Sequence, residues 1–239
     1  MDVAESLVET AEMQPASPRE MARLIDHTLL KAEATQREVE KLCAEALQSG
    51  FYSVCVNGSR VALARRCVQG SSVKVAAVVG FPLGAMSLKA KCAEAEICVA
   101  DGAEELDLVM AVGLLKDGAR DAVREEIAEV VRVAGSAKVK VILECCLLTR
   151  EEKILACQAC TDAGAAMVKT STGFGTGGAN LEDVRLMRSM VPLRMGVKAS
   201  GGIRDTATAL AMVEAGATRL GTSAGMAILA GMMRGQTEP

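Results

Sequence analysis

Apolar and amphipathic segments alternate along this chain from about residue 20 onward. The short apolar runs have the length of strands, and they fall near residues 24–30, 52–56, 73–79, 105–109, 139–144, 166–170, 195–199 and 218–221. The segments between them have the periodicity of helices, and they fall near residues 35–49, 58–68, 87–101, 117–134, 149–163, 180–190, 205–215 and 223–232. Strands that alternate with helices form parallel sheets. Eight such units predict an α/β fold, a closed (β/α)8 TIM barrel rather than an open sheet.

The barrel is expected to be a single domain that spans residues 18–233. Residues 1–17 are largely polar, and prolines punctuate their end, so they predict a loose tail or a short additional helix before the barrel. Residues 234–239 are expected to form a C-terminal tail.

The composition limits the classes of function. A net charge of −3 argues against a nucleic-acid-binding surface, and no run of eighteen apolar residues predicts a membrane span. The first ten residues, MDVAESLVET, lack the basic and apolar regions of a signal peptide. Nine cysteines without such a signal predict free thiols and a cytoplasmic location.

Two of the cysteines, Cys157 and Cys160, form a CxxC pair. This spacing occurs in structural zinc sites and in redox pairs. The surrounding sequence has helical periodicity, no second pair follows, and the only histidine is His27, far away in the sequence. The sequence therefore favours small buried thiols over a metal site.

Lys169 is the one charged residue at the end of an apolar run, residues 165–168, that leads into a glycine-rich loop. A lysine without solvent loses hydration, so its pKa falls and its free amine can attack a carbonyl. The alternative is a lysine at a strand end that reaches solvent. The following loop contains Gly173, Gly175 and Gly178 in the GxGxxG spacing of dinucleotide-binding folds. Loop glycines are the simpler interpretation, because the motif lies at the sixth unit and no acidic residue follows at the required distance.

Alternation along the predicted strands directs several polar residues into the barrel. Leu106 and Leu108 suit the helix layer, so Asp107 faces inward, and the same rule turns Lys169 and Lys198 inward. By this rule the interior also receives the side chains of Cys55, Asp26 and Thr28. A neighbouring ammonium group lowers the pKa of a lysine further, and a carboxylate between them can relay a proton. The alternative is a purely structural Lys–Asp–Lys network.

Two glycine-containing loops follow the last two predicted strands, at residues 198–204 and 221–225. Backbone N–H groups at the start of a helix bind phosphate, and TIM barrels often place such a site after strands seven and eight. The alternative is that these glycines only terminate short connections.

Five segments together resemble the deoxyribose-phosphate aldolase family. They are Ile25–Lys31 (IDHTLLK), Val79–Gly84 (VGFPLG), Val168–Gly173 (VKTSTG), Gly196–Gly202 (GVKASGG) and Leu220–Ser223 (LGTS). The resemblance extends from about residue 20 to residue 232. It implies a class I aldolase in deoxyribose catabolism that cleaves 2-deoxyribose 5-phosphate to acetaldehyde and glyceraldehyde 3-phosphate. Alternatives are another Schiff-base barrel for a different phosphorylated aldehyde or ketose, and a phosphate-binding barrel without catalytic activity.

The resemblance also implies roles for individual residues. Lys169 is expected to form the Schiff base, Lys198 to tune it and Asp107 to take part in proton transfer. The expected substrate contacts are Asp26, Thr28, Cys55, Thr170, Gly201, Gly202, Gly221 and Ser223. No metal or other cofactor is expected, since the iminium ion serves as the electron sink. Relatives of this kind are commonly homodimers or homotetramers, and no nucleic-acid or membrane partner is expected.

The chain also departs from this family in four places. Ala32 and Gly58 occupy positions where many relatives have proline, and Phe174 stands where some have a lysine beside the phosphate. The C-terminal tyrosine of certain members has no counterpart, because Tyr52 is the only tyrosine.

Overall fold

Eight parallel strands, hydrogen-bonded in chain order, close into a barrel in the computed structural model, which describes residues 15–235. The strands are β1 Ile25–Leu29, β2 Ser53–Val56, β3 Lys74–Val79, β4 Glu105–Val109, β5 Lys138–Ile142, β6 Met167–Lys169, β7 Gly196–Ser200 and β8 Arg219–Thr222. Pairing between β8 and β1 closes the sheet. The predicted TIM-barrel fold is confirmed.

Helices connect consecutive strands on the outside of the barrel. Within residues 15–235 they are α1 Pro18–Ala22, α2 Gln36–Ser49, α3 Val61–Val68, α4 Leu88–Ala100, α5 Val112–Lys116, α6 Arg120–Ala134, α7 Arg150–Asp162, α8 Leu181–Met190, α9 Thr206–Glu214 and α10 Gly225–Gly235. Two short 3-10 segments, Gly58–Arg60 and Cys145–Leu147, follow β2 and β5. None of the helices in this described range is long and apolar enough to cross a membrane.

The boundaries differ from the predicted ones at two points. The helix expected near residues 117–134 is α6, and a short helix that was not predicted, α5, precedes it; the two are separated at Gly118, whose φ of +75° a helix cannot contain. Helix α1 begins at Pro18 after a capping box in which Ser17 and Glu20 bond to each other's backbone N–H groups. Most of the predicted tails, residues 1–14 and 236–239, lie outside the described residues.

The two faces of the strands differ in chemistry. Outward residues such as Leu106, Leu108, Val168 and Val197 are fully buried beneath the helices in one apolar core. Inside the barrel, a small apolar cluster is formed by Leu30, Cys55, Ala76 and Val78, with Phe81 packed against it. The remaining interior is occupied largely by charged side chains, whereas branched apolar residues usually fill such barrels.

The CxxC pair lies in α7, as the helical periodicity predicts. Cys157 and Cys160 are both free and fully buried in the apolar core. No group of ligands that suits a metal ion occurs among residues 15–235. The closed barrel also excludes the dinucleotide-binding fold, and the glycines at 173–178 lie in the loop between β6 and α8.

Candidate active site

Seven charged side chains meet inside the barrel, and none is more than 5% exposed. The four cations are Lys140, Lys169, Lys198 and Arg219, and the three carboxylates are Asp26, Glu105 and Asp107. The strands β1, β4, β5, β6, β7 and β8 each contribute at least one of them, since alternate residues of a barrel strand point inward. We call this set the ion network.

Asp107 lies at the centre of the ion network. Its Oδ2 accepts hydrogen bonds from Lys169 Nζ and from Lys198 Nζ, each at 2.7 Å. Its Oδ1 accepts a hydrogen bond from Lys140 Nζ at 2.8 Å. The structure therefore brings together Asp107, Lys169 and Lys198, the three residues that strand alternation had placed at one mouth.

Asp26 lies beneath these lysines rather than at the mouth. Its Oδ2 accepts hydrogen bonds from Lys198 Nζ at 2.5 Å and from Lys140 Nζ at 3.2 Å. Its Oδ1 accepts hydrogen bonds from Arg219 at 2.9 Å and from Ser53 Oγ at 2.7 Å. Because both oxygens are occupied and the residue is fully buried, Asp26 is placed to hold Lys198 rather than to touch a ligand.

The two mouth lysines differ in proton affinity. Burial lowers the pKa of Lys169, and the nearby ammonium group of Lys198 lowers it further against the opposing effect of Asp107. Burial acts in the same direction on Lys198, but the carboxylates of Asp107 and Asp26 outweigh it and raise the pKa of Lys198 above its usual value. Lys169 is therefore the better nucleophile, and Lys198 is the lysine that stays protonated.

The two aspartates remain ionised. Burial on its own would raise the pKa of Asp107, but the ammonium groups of Lys140, Lys169 and Lys198 hold it well below the usual range. The pKa of Asp26 is likewise lowered against the effect of burial, by Lys140, Lys198 and Arg219. The ion network thus presents a permanent carboxylate to the amine of Lys169.

A cavity of about 250 Å³ opens above Lys169 at the C-terminal mouth of the barrel. Of the residues that sequence reasoning assigned to the substrate, its lining includes Thr28, Gly201, Gly202, Gly221 and Ser223. The lining also includes the cations of Lys31 and Arg204. The mouth therefore combines the buried amine of Lys169 with the exposed cations of Lys31 and Arg204 and with the backbone of several glycines.

The other three assigned residues, Asp26, Cys55 and Thr170, lie outside this lining. Cys55 is fully buried in the inner apolar cluster, where burial raises the pKa of its thiol. Thr170 is also fully buried, and its Oγ1 donates to Ser200 O and accepts from Ser200 N, each at 3.1 Å. Both side chains are fully buried and do not line the cavity.

The loops after β7 and β8 form one side of the cavity. No hydrogen bond to another described residue uses the backbone N–H of Gly202 or of Ser223, so both amides are free to bind an anion. The N-terminus of α9 differs from the expectation, because the carboxylate of Asp205 accepts from Thr208 N at 2.8 Å and already caps that helix. The start of α10 also adds a helix dipole to this side of the cavity.

The aromatic residue at position 174 lines the mouth next to these loops. Phe174 is 56% exposed, and its ring packs edge-on against Phe81 with the centroids 5.1 Å apart. Thr172, also in the lining, bonds through its hydroxyl to the buried carboxylate of Glu144 and accepts from Phe174 N at 3.0 Å. The wall of the mouth at position 174 is therefore apolar.

Sequence reasoning missed three members of the ion network: Lys140, Glu105 and Arg219. Strand alternation carried the signal for two of them, since Glu105 shares the parity of Asp107, and Val139 and Val141 flank Lys140 on the outward face. His27, the only histidine of the sequence, lies outside the ion network. Its ring is almost fully buried and bonds to Glu45 at 2.7 Å.

Comparisons with known proteins agree on one family. The model of the DeoC/LacD family aldolases matches residues 20–233. The deoxyribose-phosphate aldolases of Brevibacillus brevis and Thermococcus gammatolerans are 54% and 57% identical, over 88% and 89% of this chain and 96% of each relative. The tetrameric deoxyribose phosphate aldolase of Aeropyrum pernix superimposes with a TM-score of 0.84 at 36% identity, over 96% of this chain and 97% of that one. The chain belongs to the DeoC/LacD family of aldolases.

Proposed function

We propose that this protein is a class I aldolase that reversibly cleaves 2-deoxyribose 5-phosphate to acetaldehyde and glyceraldehyde 3-phosphate. The observation that carries the proposal is the pairing of two buried lysines on one carboxylate oxygen, of which only Lys169 has a lowered pKa. Relatives more than half identical in sequence bear the name of this activity.

The reaction starts at the amine of Lys169. The neutral amine adds to the C1 aldehyde of the open-chain sugar, and loss of water gives an iminium ion. Removal of the proton from the C3 hydroxyl then breaks the C2–C3 bond, and the bonding electrons move into an enamine on the two-carbon fragment. Protonation of the enamine at C2 and hydrolysis release acetaldehyde and restore the amine.

Asp107 and Lys198 are suited to move these protons. Asp107 Oδ2 is 2.7 Å from both Nζ atoms, so one carboxylate oxygen contacts the reacting nitrogen and the neighbouring acid. Lys198 stays protonated and provides positive charge beside the carbinolamine and the alkoxide. We assign Asp107 to proton relay and Lys198 to charge and proton donation.

The phosphate of the substrate is expected to bind at the loops after β7 and β8, beside the apolar ring of Phe174. The free amides of Gly202 and Ser223, the Ser223 hydroxyl and the dipole of α10 all favour an anion there. Lys31 and Arg204 add positive charge at the rim. Thr28, Gly201 and Gly221 complete the wall between this loop region and Lys169.

Covalent trapping tests the assignment. Sodium borohydride added with acetaldehyde should fix an ethyl group on Lys169, located by peptide mass spectrometry. Lys169→Arg should be inactive and unlabelled, because a guanidinium stays protonated and cannot form an imine. Lys91→Met is the matched control, since Lys91 is a fully buried lysine outside the ion network. Trapping on another lysine, or no trapping, would refute the role of Lys169.

The cellular compartment and the oligomeric state are part of the same proposal. All nine cysteines are free thiols, which supports a reducing compartment such as the cytoplasm. The tetrameric relative supports a homo-oligomer, a homodimer or homotetramer. Light scattering on the purified chain distinguishes these assemblies from a monomer.

A further inference from the structure

The ion network contains one more cation than carboxylates. Four cations share three carboxylates, and all seven groups are almost completely shielded from water. An unbalanced charge in such an interior is costly, so the ion network is most stable when one of its amines is neutral. Which amine loses the proton depends on how the carboxylates are distributed.

The contacts single out Lys169 as the neutral amine. Its Nζ contacts a single carboxylate, Asp107, whereas Lys198 contacts two and Lys140 contacts three. Arg219 contacts two carboxylates and cannot lose its proton, because a guanidinium remains charged at any pH that a protein survives. The directions of the pKa shifts agree, since only Lys169 has a lowered value among these four cations.

Arg219 and Glu105 form the end of the ion network that is remote from Lys169. Each is the first residue of its strand, whereas Lys169 is the last residue of β6, at the mouth of the barrel. Glu105 Oε2 accepts from Arg219 at 3.1 Å and contacts Lys140 Nζ at 2.7 Å. The guanidinium of Arg219 also lies over the ring of Tyr52, 3.4 Å from its centroid. This position fixes one positive charge permanently in the ion network.

We propose that Arg219 and Glu105 are positioning residues that set, from the N-terminal end of the barrel strands, how readily Lys169 gives up its proton. The inference rests on the proposed Schiff-base function, which it deepens. A fixed cation at Arg219 disfavours a further cation at Lys169, and the carboxylate of Glu105 acts in the opposite direction. Neither residue lines the cavity, so neither contacts the substrate.

Two substitutions of opposite sign test this coupling. Arg219→Met removes the fixed cation and should raise the pKa of Lys169, while Glu105→Gln removes an anion without a change in volume and should lower it. For charges on the order of 10 Å apart at an effective dielectric constant of about 20, each shift is about one unit. Arg219→Lys keeps the charge and should restore most of the wild-type value.

The pKa of Lys169 is measured directly by competitive acylation across pH with peptide mass spectrometry, which requires no turnover. The acid limb of kcat/KM should move with it, upward in Arg219→Met and downward in Glu105→Gln. The other charged or titratable groups that face Lys169 are unchanged in these variants: Asp107, Lys140, Lys198, Cys55, Lys31 and Arg204.

The outcomes separate the two proposals. Shifts of opposite sign support the role of Arg219 and Glu105. Unchanged profiles, or shifts of the same sign, overturn it even when acetaldehyde still traps on wild-type Lys169. Absence of trapping in the wild type overturns the proposed function instead. Because Glu105→Gln conserves shape, it decides the question when Arg219→Met does not fold.

Discussion

Replacement of Lys198 by methionine isolates the electrostatic effect of one ammonium group on its neighbour. Both Nζ atoms lie 2.7 Å from the same oxygen of Asp107, so they are separated by at most twice that distance. Two unit charges about 5 Å apart repel by roughly 3 kcal/mol at an effective dielectric constant of about 20, equivalent to about two pKa units. Loss of this repulsion should raise the pKa of Lys169 by an amount of that order.

The expected consequence is a displaced pH profile. A higher pKa leaves less neutral amine at neutral pH, so kcat/KM near pH 7 should fall by about a hundredfold and recover as the pH rises. The assay is acetaldehyde release from 2-deoxyribose 5-phosphate over about pH 6 to 10. Methionine preserves much of the lysine stem, and Lys140 and Lys169 still donate to Asp107.

Lys91→Met supplies the matched control for this experiment. Lys91 is fully buried, and its Nζ donates to Glu126 at 2.7 Å and to Val109 O at 2.9 Å. This variant should lose thermal stability but keep the wild-type pH profile. A wild-type profile in Lys198→Met would refute the electrostatic reasoning. A loss of activity by the same factor at every pH would also refute it, and would leave Lys198 a role in proton donation alone.

Three further predictions concern the relay, the phosphate and acid stability. Asp107→Asn should slow deuterium exchange at the acetaldehyde methyl group measured by NMR, and exchange at the wild-type rate would remove Asp107 from the relay. Gly202→Asp should raise KM for 2-deoxyribose 5-phosphate by about ten- to a hundredfold but affect unphosphorylated deoxyribose far less; Gly202→Asn controls for the strained φ of +82°. Asp26 and Asp107 have lower pKa values in the folded protein than their unfolded value near 3.8, so their ionised forms stabilise the fold above that pH. This stabilisation is lost as the pH falls through the folded pKa values. Tm should therefore drop in acid, and it should drop less steeply in Asp107→Asn.

The sequence is sufficient to predict the barrel and to predict that Asp107, Lys169 and Lys198 lie close together at its mouth, because both predictions depend on local periodicity. A period of two assigns Asp107, Lys169 and Lys198 to the inner face of each strand without knowledge of the other strands. Parallel strands in a closed barrel then bring all inner carboxyl-terminal residues to one mouth. No long-range contact has to be known for this step.

Depth within the barrel is not a local property, so strand alternation alone does not supply it. Asp26 has the correct parity for a mouth residue, but it pairs with Ser53, the first residue of β2, and its fully buried side chain does not line the cavity. Because residue parity does not give the depth of a side chain in the barrel, it also did not show that Lys140 and Arg219 both contact Glu105. The cap at Asp205 carries a local signal in the sequence, since aspartate is a preferred N-cap residue.

Asp26 is buried against Lys198, where it can determine which of the two lysines keeps its proton. Lys169 and Lys198 are adjacent in the sheet, share one oxygen of Asp107 and start from the same ordinary pKa of 10.5. With Asp107 alone, either lysine could hold the proton. Asp26 contacts only Lys198 of the pair, so the proton stays on Lys198 and the free amine stays at Lys169, the lysine of the two that reaches the cavity. An apolar interior would be more stable than this network of buried charges, but it would not assign a nucleophile and an acid to two chemically identical side chains.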